Sequence, residues 1–438
     1  MREPESVVVI GAGMSGHSAA ATLRAEGFKG EVHLVGAEDR LPYDRPPVSK
    51  EILTGAWDAA RIELKSPDWY EDQRIRLHTG VQATRVDVEG SSVHLAGGEV
   101  LRYDHVVLAT GGRPRVPDIP GIDLEGVFFL RTLDDAEKIL EATGHARSVA
   151  VVGSGFIGAE AAAAMHGRGF DVTMIEVASQ PLDHALGSEV GEVIARIHRE
   201  EGVELMLGAP VGAIHAHQRG GMRRKDVPQH DSDAPGTASA PAGRVGSVET
   251  ASGTIVQADL VIVGVGIDPC VELASAAGCE TGNGVAVDAN ARTTVPEIYA
   301  VGDIAEFPCR YAGKRVRVEH YNHAIAHGAV AARSILGLDL GPQPAPWFWS
   351  DQYDVGFQYA GHCETWDEIV WRGDPSTREF AAFYLVNGTM SAALTANMPR
   401  EMRGVRKCIE AGVEVTKAQI LDPDVDLRKL YKRARSPS

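Results

Sequence analysis

The stretch VVVIGAGMSGHSAAATLRAEGF, residues 7–28, decides the reading of this chain. Val7-Val8-Val9-Ile10 is a short β-branched apolar run of the kind buried in a parallel sheet. It enters Gly11-Ala12-Gly13-Met14-Ser15-Gly16 and then an alanine-rich segment that favours helix. Strand, G-x-G-x-x-G and helix, in that order, form a dinucleotide-binding pattern. The first glycine makes the turn, the second lets a pyrophosphate approach the backbone, and the third lets helix and strand pack closely. The helix N-terminus then offers free N–H groups to the phosphates. Alone, the pattern is weak evidence, because glycine clusters also mark ordinary turns.

It recurs. Residues 149–170, VAVVGSGFIGAEAAAAMHGRGF, repeat strand, glycines and helix 153 − 11 = 142 residues later, about one domain away. The stretches from Asp104 to Gly111 and from Asp259 to Gly264 are also alike: an acid, an apolar strand and a glycine exit. Two dinucleotide sites are therefore expected. In the second copy Glu176 ends the next strand, 176 − 153 = 23 residues after the first glycine. A carboxylate there accepts hydrogen bonds from a ribose diol and repels a 2′-phosphate, which favours NADH over NADPH. The following VASQP supplies no arginine for such a phosphate. A solvated strand-end glutamate is the plain alternative.

The totals agree with an ordinary multidomain protein. The 438 residues are 44% apolar and 24% charged, too many for one core. A formal charge of −17 argues against general nucleic-acid binding. The opening MREPES has no signal-peptide pattern and no apolar run is long enough for a bilayer, so a cytoplasmic protein is expected. The cysteines, 270, 279, 309, 363 and 408, are scattered and read as reduced thiols, with none before residue 270.

On GAGMSG, YDRPPVSK, LATGGRPR, GSGFIGAE, TVPEIYAVGDIAE, RVEHYNHA and WFWSDQYD, the sequence resembles the FAD-dependent NADH:ferredoxin and rubredoxin reductases, the putidaredoxin-reductase-like branch that also serves dioxygenases. More distantly it is similar to apoptosis-inducing factor. The resemblance implies an α/β chain of two Rossmann-like domains of glutathione-reductase type and a C-terminal α+β domain. Residues 1–112 with 265–328 would form the FAD-binding domain, 113–264 the NADH-binding domain, and 329–438 the C-terminal domain. FAD would lie on Gly11, Gly13 and Gly16, with Asp303 on the ribityl chain. Arg45, Lys50, Ala109, Thr110, Gly111, Glu319, His320 and Tyr321 complete its implied contacts. In Gly36-Ala37-Glu38 alanine occupies the aligned position of the usual ribose acid, and Glu38 one residue later is expected to reach the ribose. NADH would meet Gly153, Gly155, Phe156, Ile157, Gly158, Glu160, Glu176 and Gly266.

The same resemblance places Lys50 beneath the flavin ring, paired with Glu160. The prolines of LPYDRPPVSKEIL, residues 41–53, restrict φ and hold that cation at small entropic cost. There it would offset negative charge arriving with hydride. Relatives that reduce disulfides carry redox cysteines near this loop, and this chain carries none, so a thiol relay is excluded. The expected acceptor is a small acidic [2Fe-2S] ferredoxin, or a rubredoxin, steered by Arg310, Lys314, Arg315 and Arg317. NADH oxidase activity and redox-sensing binding are the alternatives, and the chain is read as a monomer or homodimer. His320, His323 and His327 have helical spacing that is formally zinc-like. Their segment aligns with a flavin-binding motif, so no metal is assigned. Residues 215–246 read as a flexible insertion whose Arg223-Arg224-Lys225 run is most simply solvated. The aromatic-rich region from Trp347 to Trp371, with strand-like EIVWRG and EFAAFYLVNGTMSAALTAN, suggests an antiparallel sheet.

Overall fold

A computed structural model of the protein describes residues 4–217 and 243–435. The chain divides into two compact units. One comprises residues 1–47, 57–113 and 267–438; the other comprises 48–56 and 114–266. The short segment 48–56, which carries Lys50, thus belongs with the second unit.

The first unit contains a five-stranded parallel sheet in the spatial order Ile298–Ala300, His105–Leu108, Ser6–Ile10, Glu31–Val35, Ile75–His78. Its central strand is apolar throughout because both faces are covered. Val7 and Val9 pack with Ala19, Ala20 and Leu23 of the helix Met14–Ala25 and with Ala331 of the helix Tyr321–Ile335. Val8 and Ile10 face Val86, Val93 and Leu101 of an antiparallel ribbon formed by Ala83–Asp87, Ser92–Leu95 and Val100–Arg102.

The second unit repeats this plan. Its parallel sheet runs Glu204–Met206, Asp171–Ile175, Ser148–Val152, Leu260–Val263, Val127–Phe129. Its ribbon is Val211–Ala216, Val245–Thr250 and Ile255–Gln257. The sequence reading of an insertion over 215–246 needs trimming at both ends, because His215 pairs with Ser247 and Ala216 with Val245. Residues 218–242, with Arg223-Arg224-Lys225, lie outside the described residues.

The two copies agree in detail. Asp104 accepts hydrogen bonds from the amides of Glu5 and Ser6 at 2.6 and 3.0 Å. Asp259 does the same for Arg147 and Ser148 at 2.8 and 3.0 Å. Each acid ties the start of the central strand to its neighbour, which explains why an acid precedes both exit strands. No helix among the described residues is long and apolar enough to cross a membrane.

After residue 346 the first unit adds a five-stranded antiparallel sheet, ordered Trp347–Gln352, Val355–Gly361, Thr389–Ala396, Glu379–Val386, Glu368–Asp374. Met402, Val405 and Cys408 of the amphipathic helix Pro399–Ala411 close its core against Phe383 and Leu385. This is the antiparallel sheet with helices expected of an α+β domain.

The glycines of each fingerprint meet different demands. Gly11 and Gly153 have φ of +109° and +94°, the left-handed range that disfavours side chains. A Cβ on Gly16 would lie 1.8 Å from the Gly11 carbonyl oxygen, and one on Gly158 would lie 2.1 Å from that of Gly153. Gly13 and Gly155 would meet nothing within 4 Å. Gly16→Ala should therefore lower stability by about 2 kcal/mol through overpacking, while Gly13→Ala leaves it within about 0.5 kcal/mol. Chemical denaturation checks this; equal midpoints for the two variants would contradict the assignment.

Candidate functional site

Two cradles of the same construction emerge, one per unit. In each, the first glycine turns against the exit of a neighbouring strand: a Cβ on Gly11 would strike the Ala109 carbonyl at 2.1 Å, and one on Gly153 that of Gly264 at 2.5 Å. Each open second glycine is the N-cap of the helix, with no side chain capping it. Uncapped N–H groups beside an open backbone suit a pyrophosphate. The residues therefore fit an adenine dinucleotide in both units.

The second residue and the strand-end residue distinguish the copies. In the second unit Glu176 follows the strand Asp171–Ile175. Its Oε2 accepts from the Ser154 amide at 2.6 Å and the Ser154 hydroxyl at 2.7 Å, and its Oε1 accepts from the Ala178 amide at 2.8 Å. Glu176 is thus held at the mouth of the cradle rather than solvated, with Oε1 retaining capacity for a ribose hydroxyl. Exposed Val177, 65% accessible, follows it.

In the first unit strand register makes Gly36, not Ala37, the counterpart of Glu176. Gly36 donates to His78 across the sheet as Glu176 donates to Met206. A Cβ at Gly36 would lie 2.7 Å from the Ala12 Cβ, so no acid fits there. Glu38, two residues on, is fixed instead by the Tyr43 hydroxyl at 2.6 Å and by Arg45 at 3.0 Å. Arg45 therefore serves Glu38 directly.

Apart from Lys50, the other residues implied for FAD gather in the first unit. Thr110 donates through its hydroxyl to the Cys270 carbonyl at 2.7 Å, and Gly111 has φ of +64°. Asp303 sits in the single turn Gly302–Ile304, whose Gly302 amide donates to Nδ1 of His327 at 3.3 Å. Glu319 is ion-paired with Arg317. His320 packs on Phe348, and Tyr321 donates to Asp44 at 2.5 Å while meeting Trp349 edge-on. Burial and the nearby Asp44 raise the Tyr321 phenol, so it stays protonated at neutral pH.

The three histidines form a neutral wall. Burial lowers His320 and His327 to about 4 and holds His323 well below its ordinary value. His323 stacks on Phe307 at 4.4 Å and lies 4.8 Å from His327. No group of three or more potential ligands among the described residues is arranged for a metal ion. The buried Nδ1 of His320 and Nε2 of His323 have no hydrogen-bond partner among the described residues. Such atoms need a partner, and a polar prosthetic group at this wall would supply one.

The Lys50 loop is held in the second unit. Lys50 Nζ lies 3.9 Å from Oε1 of Glu160, with the two side chains 11% and 6% exposed. Ser49, absent from the sequence-based site, donates to Oε2 of Glu160 at 2.5 Å. Phe156 and Ile157 open the helix Phe156–Gly167, with Ile157 exposed. Gly266 has φ of +100°, and its carbonyl accepts from the Arg115 amide at 2.9 Å.

The basic residues proposed for docking differ among themselves. Lys314 pairs with Glu364 at 2.6 Å, and Arg317 is mostly buried against Glu319 and the Asp303 carbonyl. Arg310 donates to the Tyr311 hydroxyl and the Glu410 carbonyl, and Arg315 to the Val287 carbonyl. Arg310 and Arg315 thus meet neutral oxygens, whereas Lys314 and Arg317 each meet a carboxylate. All five cysteines are free thiols. Burial raises Cys279 and Cys363 and lifts Cys408 to about 11, which disfavours thiolate chemistry.

Residues 5–328 match the pyridine nucleotide-disulphide oxidoreductase family, and residues 347–431 match the reductase C-terminal family. Rhodocoxin reductase of Rhodococcus erythropolis is 34% identical over 428 residues, covering 98% of this chain and 95% of that protein. The anthranilate 1,2-dioxygenase system ferredoxin–NAD(+) reductase component of Burkholderia cepacia is 37% identical over 423 residues, covering 96% and 98%. Among solved structures, the covalent putidaredoxin reductase–putidaredoxin complex superposes with a TM-score of 0.91 at 32% identity, covering 100% of both chains.

Removing the Glu176 carboxylate should erase most discrimination at the ribose. Glu176→Ala is expected to lower the ratio of kcat/KM for NADH over NADPH by about tenfold, the worth of one charged hydrogen bond. An unchanged ratio would return Glu176 to the role of a strand cap.

Proposed function

Because the chain belongs to the pyridine nucleotide-disulphide oxidoreductase family and carries the reductase C-terminal domain, we propose that it is an FAD-dependent NADH:ferredoxin oxidoreductase. It takes hydride from NADH and passes single electrons to an iron–sulfur ferredoxin that feeds a cytochrome P450 or a ring-hydroxylating dioxygenase. The observation that supports this reading most is the pair of cradles, each with an open second glycine and a fixed acid. Relatives similar over almost the whole chain carry ferredoxin reductase names.

FAD is assigned to residues 1–112 with 265–328 and NADH to residues 113–264, with 329–438 as the C-terminal domain. When bound, FAD accepts the two electrons of a hydride and releases them one at a time, which lets NADH serve a one-electron acceptor. Gly11, Gly13 and Gly16 receive its pyrophosphate, Glu38 its ribose, and Asp303 its ribityl chain. Gly153, Gly155 and Gly158 receive the NADH pyrophosphate, and Glu176 its adenosine ribose. Lys50 supplies positive charge for the hydride step, with Glu160 keeping that buried ammonium from being uncompensated. Neutral His320, His323 and His327 add no competing charge at the wall they form. No nucleophile or thiol is required, and residues 1–269 contain no cysteine.

The ferredoxin is an acidic protein, drawn to the local charge of Arg310 and Arg315 rather than to the paired Lys314 and Arg317. The charge of the whole chain does not prevent such local steering. The enzyme is assigned to the cytoplasm.

Stopped-flow mixing tests the reading. FAD-loaded protein should be bleached by NADH and recoloured rapidly by a [2Fe-2S] ferredoxin. Faster recolouring by dioxygen or a rubredoxin would make it an oxidase or a rubredoxin reductase. Slow recolouring by every acceptor would favour a redox-sensing binding protein. Lys50→Ala should slow bleaching about tenfold or more with FAD retained. An unchanged rate would remove Lys50 from the mechanism.

A further inference from the structure

We propose that Ser154 is a positioning residue that sets nucleotide specificity: it fixes one oxygen of Glu176 and leaves the other to the adenosine ribose, so that a 2′-phosphate meets a carboxylate held in its path. This rests on the reading of the second unit as the NADH-binding one and concerns what holds its selecting acid in place.

Ser154 is the second residue of the fingerprint Gly153-Ser154-Gly155 and is 0% exposed. Its amide and its hydroxyl both donate to Oε2 of Glu176, at 2.6 and 2.7 Å. Its carbonyl accepts from the Leu182 amide at 3.1 Å. Both ends of the segment from Glu176 to Leu182 are therefore tied to this one residue. Leu182 has φ of +58°, a left-handed conformation that leucine rarely adopts and that its surroundings must hold. On the other side of the carboxylate the Ala178 amide donates to Oε1 at 2.8 Å. Donors this close to a carboxylate make the strong, charge-assisted kind of bond.

The first unit shows the same turn without this arrangement. The fingerprints align Ala12 with Ser154, and strand register aligns Gly36 with Glu176. Hydroxyl and acid are absent together there, although strand, glycines and helix are all kept. The hydroxyl is thus not needed to build the turn; it accompanies the acid. A carboxylate oxygen has two acceptor sites, and the two Ser154 donors fill those of Oε2. Oε1 takes one bond from Ala178 and keeps a site for one ribose hydroxyl. Turning Glu176 aside to admit a phosphate would break all of these bonds at once, so the acid stays and its charge repels the phosphate. The adenosine ribose is unchanged by hydride transfer, so the consequence falls on nucleotide affinity.

In the FAD-loaded full chain, Ser154→Ala should lower the ratio of kcat/KM for NADH over NADPH about fivefold, less than Glu176→Ala because both amide donors remain. The change should lie in KM rather than kcat. Direct titration should show it as weaker binding of NAD⁺ and tighter binding of NADP⁺, with no turnover involved. In a Glu176→Ala background, Ser154→Ala should change the ratio no further. Alanine already occupies this place in the first unit, so the turn admits it. Ser154→Thr and Ser154→Val have nearly the same shape and differ in the hydroxyl. The ratio for Thr should exceed that for Val by about fivefold, which separates the hydrogen bond from packing.

If Glu176→Ala lowers the ratio, then an unchanged ratio in Ser154→Ala, equal ratios in the Thr and Val variants, or full additivity with Glu176→Ala would each overturn the proposal and leave Glu176 as the selecting acid. An unchanged ratio in Glu176→Ala would instead overturn the reading of this acid as the one that selects the nucleotide, and the role of Ser154 would fall with it.

Discussion

Everything in this molecule depends on a helix being allowed to touch the strand that precedes it. Gly16 lies against the carbonyl of Gly11, and Gly158 against that of Gly153, at separations no Cβ could share. That contact aims the helix N-terminus over the turn and leaves Gly13 and Gly155 open. Phosphate binding then requires no side-chain chemistry, only backbone N–H groups and an unobstructed approach. The construction appears twice, with the central strand flanked the same way by the next strand and by the exit strand, the same kind of ribbon and an aspartate heading each exit strand. Specificity is left to the few places where the copies differ.

Those differences are small and physical. Ser154 and Glu176 form a hydrogen-bonded pair in one copy, while Ala12 and Gly36 fill the same space in the other. An acid at position 36 is sterically excluded, and Glu38, two residues on, is steadied by Tyr43 and Arg45. The Lys50 loop itself carries prolines, a serine and a lysine but no cysteine. The remaining thiols lie late in the sequence, and burial disfavours ionisation of Cys279 and Cys408. Charge and position, not covalent exchange, are what this chain offers a flavin.

Much of this was legible in the sequence because the decisive signals are local. Strand, glycine and helix signals are contiguous in both fingerprints, and the acids Asp104 and Asp259 head both exit strands. The antiparallel C-terminal sheet was legible from alternation in the segments 368–373 and 379–397. What escaped depends on register and on partners far apart in sequence. Gly36 rather than Ala37 matches Glu176 only once strand pairing is known. Ser49 meets Glu160 across 111 residues, and nothing in the motif announces that contact. The basic run from Arg310 to Arg317 reads as a patch, yet Arg317 pairs with Glu319 two residues on, and Lys314 pairs with Glu364, an acid that the linear pattern does not bring near. Ser154 had a signal that comparison of the copies could have found, since Ala12 occupies its place where the acid is missing.

The central claim is that electrons pass from one nucleotide to the other with no sulfur between. Anaerobic titration of the FAD-loaded protein with NADH measures this directly, by following the visible flavin band per equivalent added. The account predicts that the first equivalent bleaches the flavin in proportion, and that alkylating the thiols leaves the titration unchanged. Consumption of the first equivalent without bleaching, or loss of bleaching after alkylation, would contradict it.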